Sequence, residues 1–205
     1  MAKQKTGIQR IMLLFFAATI LVFGGIEGTE LWIKKAGICL KPAAAFPVAT
    51  LKNIYWQDSA SAVDWKGLSA EEISFTLASA ALFHSFNPMY NPALLRAYYA
   101  RADVYKPGGE VYLKKVEDTV ESVAYIYKRI FMGGTLNSML VEGKFPLLKV
   151  NVPNSAAKQW VMVLGADRDD FIVLDPLAKS KKLSRLSDYN KVYSCVIYYR
   201  LDLKK

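Results

Sequence analysis

The most pronounced hydrophobic stretch of the chain lies close to its amino terminus. Ile11 to Ile26 is a run of sixteen residues without a charge, and Lys3, Lys5 and Arg10 precede it with no acidic residue among them. As a helix this run spans about 24 Å, slightly less than the roughly 30 Å hydrocarbon core of a bilayer, and Arg10 can extend the reach by snorkelling. The pattern predicts a signal-anchor helix whose basic flank stays in the cytoplasm.

Two other interpretations of this run stay open. A cleaved signal peptide has an apolar region of about 7–15 residues and a small-x-small cleavage site, and the nearest candidate, around Phe23-Gly24-Gly25, fits poorly. A buried core helix is the second alternative, although the all-round apolarity and the one-sided basic flank argue against it. An anchor would leave the globular part on the extracytoplasmic side, and a cleaved signal would release it as a secreted protein.

Helical patterns fill the middle of the chain. Ser69 stands three residues before Glu72, which is the capping-box spacing, and Ile73 to Phe86 is apolar on nearly every side. A helix that is apolar all round is a buried one. Asn91-Pro92 then places a cap and a first-turn proline at the start of a second helix, which we expect to run to about Asp103.

The pattern then changes from helical to alternating. We expect a turn at Pro107 to Gly109, a short helix over Lys114 to Glu121, a strand from Val123 that Gly133-Gly134 breaks, and a short helix over Thr135 to Glu142. β-Branched and aromatic runs predict four further strands, over Pro146 to Val152, Gln159 to Gly165, Phe171 to Leu174 and Tyr193 to Leu201. Helices followed by an antiparallel sheet indicate an α+β fold.

This order divides the chain into three parts. Residues 1–28 are the basic flank and the membrane anchor or signal helix, residues 29–66 form an irregular linker or extension, and residues 67–205 form the globular domain. The boundaries follow the end of the apolar run and the start of the first capped helix.

Composition narrows the function mainly by exclusion. One histidine and two cysteines cannot form a multi-histidine or four-thiolate metal centre, so we expect no metal and no cofactor. The net charge of +9 is spread along the chain, and its densest part, Lys179 to Lys205, has eight basic and two acidic residues without an arginine-rich run. That region is typical of a solvated face, with anionic lipid as an alternative, and nucleic acid is not indicated.

An acidic cluster in the carboxyl-terminal third also has two possible interpretations. Asp167, Asp169 and Asp170 fall in a short segment between two predicted strands. The spacing lacks the glycine and the distal glutamate of a calcium loop, so an ordinary acidic turn is the expected structure.

Four short segments between Asn91 and Pro176 occur in an order that suggests a known family. They are Asn91 to Leu95 (NPALL), Leu140 to Val150 (LVEGKFPLLKV), Gln159 to Gly165 (QWVMVLG) and Asp169 to Pro176 (DDFIVLDP). In this order they resemble the papain-like C39 and C39-like cysteine peptidases, over about residues 55–200. The resemblance implies a papain-like fold, in which a helical lobe is followed by an antiparallel sheet.

The same resemblance assigns positions to the catalytic groups of that family. Its cysteine lies at the start of the buried helix, its histidine at the start of the second strand phrase, and its orienting Asp or Asn sixteen residues later. Here those positions hold Ile73, Gln159 and Asp175. An isoleucine has no nucleophilic atom and a glutamine amide is no base near neutral pH. Only Asp175 is retained, so the resemblance implies the fold and argues against the chemistry.

Other residues could fill the two missing roles. Cys39 precedes any predicted helix, and it is expected to be a free thiol or a disulfide partner of Cys195 in an oxidising compartment rather than a nucleophile. Ser74 adjoins the expected cysteine position, but a shift of one residue turns a helical side chain by about 100°. The only imidazole, that of His84, falls in the carboxyl-terminal half of the buried helix, where a satisfied core histidine is expected.

These observations favour a membrane-anchored, catalytically inactive C39-like domain that binds a peptide or protein, or serves as a structural subunit of a membrane assembly. A divergent cysteine peptidase that uses Cys39 with an unidentified base is the alternative. A third hypothesis makes the leader helix the functional element and the globular domain only a plug. The expected partners are a protein or peptide and the membrane, with Ile73, Gln159 and Asp175 marking a vestigial site.

Overall fold

Three helices and a six-stranded sheet make up most of the part of the chain that the structure describes. The computed structural model covers residues 41–49, 63–120, 123–128, 133–152, 155–178, 183–189 and 191–200. The helices are α1 (Ala70–Phe86), α2 (Pro92–Arg101) and α3 (Gly133–Val141). The strands are β1 (Tyr105–Lys106), β2 (Glu110–Val111), β3 (Val123–Lys128), β4 (Leu147–Asn151), β5 (Lys158–Ala166), β6 (Phe171–Leu174), β7 (Ser184–Arg185) and β8 (Val192–Arg200).

The first helix begins where its capping box predicts. Ser69 accepts a hydrogen bond from the backbone of Glu72, and the Glu72 carboxylate accepts one from the backbone of Ser69 at 2.7 Å. The reciprocal pair satisfies two backbone donors that the helix itself leaves open. Most of α1 is buried, and Phe75, Ala78 and Phe83 are completely inaccessible. The prediction of a buried helix is confirmed.

The second helix also begins at its predicted cap. The side chain of Asn91 accepts from the backbone of Leu94 at 2.9 Å, and Pro92 occupies the first turn. The helix ends at Arg101, two residues before the predicted end, and Asp103 adopts a left-handed φ of 55°. Short polar side chains tolerate that conformation better than most, which makes Asp103 a suitable residue to leave a helix.

The main sheet is antiparallel throughout. Its strand order is β3-β8-β4-β5-β6-β7, so the last long strand, β8, lies between β3 and β4. Every strand predicted from the sequence is present, and the four later strands begin and end within one residue of the prediction. The fold class is therefore α+β, as the order of the predicted elements indicated.

Helix α1 packs against one face of this sheet through aromatic side chains. The ring of Phe75 meets Trp160 on β5 edge-on at 5.2 Å between centroids, and Phe83 meets Tyr198 on β8 at 5.1 Å. Edge-to-face pairs of this kind add to the apolar burial that holds a helix on a sheet. Alternate residues of β5 therefore lie under α1, and the residues between them face the other side.

The structure corrects the prediction at two places. Gly133 and Gly134 do not break a strand, because they are the first two residues of α3, and β3 ends earlier, at Lys128. The helix expected over Lys114 to Glu121 is instead two 3-10 turns, Leu113–Lys115 and Glu117–Thr119. Short runs without a strong apolar period leave such alternatives close in energy, so tertiary contacts decide between them.

The predicted turn at Pro107 to Gly109 joins a small hairpin, β1–β2, that the sequence pattern did not indicate. Gly108 and Gly109 have φ values of 97° and 80°, which a glycine adopts without steric cost. The hydroxyl of Ser69 donates to the carbonyl oxygen of Gly109 at 2.6 Å, so the hairpin is attached to the cap of α1.

The predicted membrane anchor, Ile11 to Ile26, lies outside the described residues. Within the described ranges, no helix combines the length and the apolarity that a membrane crossing requires. Cys39 likewise lies outside the described residues, whereas Cys195 is buried on β8.

Candidate functional site

The amino-terminal end of α1 meets the beginning of β5. The backbone N–H of Trp160 donates to the Ser74 hydroxyl at 2.8 Å, across 86 residues of sequence. Ser74 and Trp160 directly follow Ile73 and Gln159, two of the three predicted site residues. The tertiary structure therefore brings the neighbours of these two positions into hydrogen-bonding contact.

Ile73 is partly exposed near this end of the helix. The residues on either side of it, Glu72 and Ser74, are buried, with 3% and 0% exposure. A side chain of carbon atoms offers neither a nucleophile nor a hydrogen bond, so position 73 contributes shape and apolar surface only.

Gln159 and Asp175, the other two predicted site residues, are in direct contact. The Nε2 of Gln159 donates to Oδ2 of Asp175 at 2.8 Å, and Gln159 is only 4% exposed. A carboxylate only accepts hydrogen bonds, so it fixes which end of the Gln159 amide faces it. The amide nitrogen points to Asp175, and the carbonyl oxygen, Oε1, points elsewhere.

Asp175 collects two more donors, which hold it in place. The hydroxyl of Tyr189 donates to Oδ2 at 2.6 Å, and the backbone N–H of Leu177 donates to Oδ1 at 2.8 Å. Burial, and then the hydrogen bond to the Asp175 carboxylate, raise the pKa of the Tyr189 phenol above its ordinary value. Tyr189 is thus a neutral donor at physiological pH, and no part of the sequence pattern singled it out.

The Oε1 of Gln159 is an open acceptor. Among the residues that the structure describes it has no hydrogen-bond partner, and it is not sealed in the interior. The buried indole nitrogen of Trp160 also has no partner in that part of the chain, but it is completely enclosed. Of these two groups on β5, only the oxygen of Gln159 is open to a small molecule or a peptide.

Ser74 and His84 do not form a hydrolase pair. Ser74 is completely buried, and its hydroxyl donates to the carbonyl of Glu71 at 3.0 Å while it accepts from Trp160. His84 lies ten residues further along α1, about 15 Å away at 1.5 Å per residue, and its Nδ1 is 3.0 Å from the carbonyl oxygen of Tyr90. No proton can pass directly between them.

The acidic cluster is a structured turn. One carboxylate oxygen of Asp167 accepts from the backbone of Asp169 at 2.8 Å and of Asp170 at 2.6 Å, and Arg185 lies 2.8 Å from the other oxygen. The two backbone hydrogen bonds, with a smaller contribution from Arg185, lower the pKa of the Asp167 carboxyl. Asp170 in turn accepts from the backbone of Ser187 at 3.0 Å.

A buried ion pair stabilises the same end of α1. The Nζ of Lys149 lies 2.6 Å from Oε1 of Glu71, and both side chains are largely buried. Removing one partner of such a pair leaves an uncompensated charge, at a cost of about 3–5 kcal/mol. The sequence did not identify this pair, because the two residues are 78 positions apart and no motif assigns either of them a role.

Two sets of hydrogen bonds attach segment 41–49 to the globular part, and the sequence predicted neither of them. Asn137 on α3 accepts from the backbone of Ala43 and donates to the carbonyl of Ala44, both at 2.7 Å. Phe46 pairs with Ala166 through two backbone hydrogen bonds, of 2.7 and 3.0 Å. Gly165 permits this approach, because a Cβ there would lie 2.7 Å from the Cα of Val48.

A cavity of about 570 Å³ opens at the other end of α1. Among its lining residues are Asn87, Met89, Tyr98, Arg101 and Asp118. Asn87 is thirteen residues from Ser74, so the cavity is about 20 Å from the predicted site along the helix. It is a separate surface from the one that contains Gln159.

Metal chemistry finds no support in the described ranges. No group of three or more His, Cys, Asp or Glu side chains in them is arranged to hold a metal ion.

In comparisons with known proteins, no family model matches the chain and no curated protein shows significant similarity to it.

Proposed function

We propose that this protein is a membrane-anchored, catalytically inactive papain-like domain of the C39 type, which binds a peptide or protein without cleaving it. The observation that carries the proposal is the hydrogen bond between Gln159 and Asp175 beside the amino end of α1. It corresponds to the histidine–carboxylate pair that the family resemblance expects, with an amide instead of an imidazole.

The chemistry of the three residues supports an inactive centre. A papain-like mechanism needs a thiolate, a base that takes and returns the proton, and a carboxylate that orients the base. Ile73 and Gln159 can perform neither of the first two roles at physiological pH. Asp175 orients an amide that has no proton to transfer, so we expect no hydrolysis from this centre.

The ordering of the site supports a binding role. Asp175 receives three donors, from Gln159, Tyr189 and Leu177, so its position is fixed although it has no catalytic partner. A papain-like domain has its cleft between the helical part and the sheet, where α1 and β5 meet in this protein. Ile73 is partly exposed near the amino end of α1, and the open oxygen of Gln159 lies at the start of β5.

The proposed location follows from the leader. The basic flank and the uncharged run to Ile26 are those of a signal anchor, which would leave the globular part on the extracytoplasmic side. Digestion of sealed cells with an external protease tests this directly. The globular part should be degraded in intact cells, and its protection until the membrane is permeabilised would contradict the proposed orientation.

Restoring the missing groups tests the catalytic centre itself. In a variant with both Ile73→Cys and Gln159→His, the new imidazole would hydrogen-bond to Asp175 and face the new thiol. An imidazolium neighbour lowers the pKa of a thiol from about 8.5 to below about 7.5. The rate of alkylation by iodoacetamide, followed against pH with the labelled peptide identified by mass spectrometry, reports this pKa.

The controls separate the papain arrangement from a general effect. In the single variant Ile73→Cys, the new thiol should titrate like an ordinary one. Adding Asp175→Asn to the double variant should raise the pKa of this thiol part of the way back to the ordinary value. The unaltered chain should neither hydrolyse denatured casein nor be labelled at position 73 by a peptidyl epoxide. Identical alkylation profiles for the single and double variants would rule out the papain-like arrangement.

A further inference from the structure

Among the residues that the structure describes, Gln159 is a buried side chain at the proposed site whose unused hydrogen-bonding group is still accessible, unlike the enclosed indole nitrogen of Trp160. It is 96% buried, since its exposure is 4%, and its amide nitrogen is engaged by Asp175 at 2.8 Å. Its carbonyl oxygen has no partner among the described residues. The oxygen is not among the fully enclosed atoms, so a ligand can reach it.

The surrounding residues determine the chemistry of that open group. Because Asp175 only accepts hydrogen bonds, the Gln159 amide cannot turn round without placing two oxygens against each other. Tyr189 and the backbone of Leu177 hold Asp175 and therefore the orientation of the amide. These residues act as positioning residues, and they present a fixed hydrogen-bond acceptor to whatever enters the site.

We infer that Gln159 Oε1 accepts a hydrogen bond from a backbone N–H of an extended peptide bound at the junction of α1 and β5. This inference deepens the proposed function and rests on it for the nature of the occupant. A peptide backbone supplies a neutral N–H donor at every residue except proline, which matches a fixed acceptor. A ligand whose contacting group is only an acceptor would meet the oxygen unfavourably.

The experiment uses two small amides that differ in one donor. N-methylacetamide carries a peptide-like N–H, whereas N,N-dimethylacetamide has the same carbonyl and no N–H. Each is titrated into the ¹⁵N-labelled full chain, and the side-chain amide signal of Gln159 is followed by NMR. The signal is assigned by its loss in Gln159→Met, and the backbone amide of Trp160 is a second reporter.

The chain supplies its own control. Asn137 is a second buried carboxamide, 8% exposed, whose oxygen and nitrogen both have backbone partners at 2.7 Å. We expect N-methylacetamide to shift the Gln159 signal saturably, with an affinity about fivefold higher than that of N,N-dimethylacetamide, as one net hydrogen bond gives. The Asn137 signal should not respond to either compound.

The outcomes separate this inference from the proposed function. Equal affinities for the two amides, or no saturable shift with either, would overturn the role of Gln159 as a ligand acceptor. In Gln159→Met the response of the Trp160 amide to N-methylacetamide should disappear, and its persistence would also overturn the inference. The thiol titration tests the papain arrangement without any ligand, so either experiment can fail while the other succeeds.

Discussion

Two buried carboxamides in this protein have different uses. The oxygen of Asn137 accepts a hydrogen bond from the backbone of residue 43 and its nitrogen donates one to the backbone of residue 44. These two bonds join that segment to α3. Gln159 uses only its nitrogen, which donates to Asp175, and its oxygen has no partner among the described residues. Since both residues are buried, the difference lies in how completely their hydrogen bonds are satisfied. A satisfied amide stabilises the fold, whereas a half-satisfied one indicates a site.

The largest effect is expected at the carboxylate that holds Gln159. Asp175→Ala removes the acceptor of three donors and leaves the Gln159 nitrogen buried without a partner. We expect a loss of about 3 kcal/mol in the free energy of unfolding, measured by urea denaturation. The exposed Asp169, in the neighbouring turn, provides the control, since Asp169→Ala should cost less than about 0.5 kcal/mol. Equal losses for the two variants would mean that the three hydrogen bonds accepted by Asp175 do not stabilise the fold.

The next effect concerns the segment that Asn137 holds. In Gly165→Ala the added methyl would lie 2.7 Å from the Cα of Val48 and 3.0 Å from the carbonyl oxygen of Phe46. Both are backbone atoms that no side-chain rotation can move, so we expect a loss of about 2 kcal/mol. Hydrogen exchange at the Ala166 amide should accelerate, because its bond to Phe46 is displaced. An unchanged exchange rate at Ala166 would show that Gly165 does not pack closely against the backbone of Phe46 and Val48.

Asn137→Ala should have a somewhat smaller effect. It removes two hydrogen bonds, but the backbone groups of Ala43 and Ala44 are near the surface and can be hydrated, so we expect a loss of about 1.5 kcal/mol. Exchange at the Ala43 amide should accelerate while that of the Trp160 amide stays unchanged. Val141→Ala is the matched control on the same helix, since Val141 is 73% exposed. Faster exchange at Trp160 would mean that the two carboxamides are coupled.

The smallest effect is expected at Tyr189. Tyr189→Phe removes one of the three donors to Asp175 and should cost about 1 kcal/mol at neutral pH. Because the pKa of Tyr189 is raised in the folded protein, its contribution is complete below the unfolded pKa of about 10 and declines as the pH rises above it. The stability of the variant should therefore fall less steeply above pH 10, by denaturation across that range. A steeper fall would contradict the assignment of this phenol.

Local patterns predicted most of the fold because the relevant forces act over a few residues. The capping box of Ser69 and Glu72 and the asparagine–proline start of α2 are both complete within four residues, and both were located correctly. The β-branched and aromatic runs located the long strands to within two residues. Gly133-Gly134 was misjudged, because glycine lowers helix propensity but tertiary packing can still begin a helix there.

The site was only partly predictable for a related reason. Gln159 and Asp175 were selected as a pair through the resemblance, and their contact closes a loop of sixteen residues between adjacent strands. Tyr189, Lys149 and Asn137 carried no local signal, since their partners are 14, 78 and about 94 residues away and are met only when the sheet forms. A donor or a charge becomes identifiable as functional only when its partner is known.

The sequence by itself determined the α+β class, the buried first helix and the presence of an amide rather than an imidazole at position 159. Those properties depend on residue type and short-range periodicity, which folding cannot change. The tertiary structure alone decided which end of the Gln159 amide is left open, because that orientation depends on the carboxylate of Asp175, which follows another strand, and on the phenol of Tyr189. It also decided that segment 41–49 joins the globular part, since the close approach at Gly165 exists only in the folded chain.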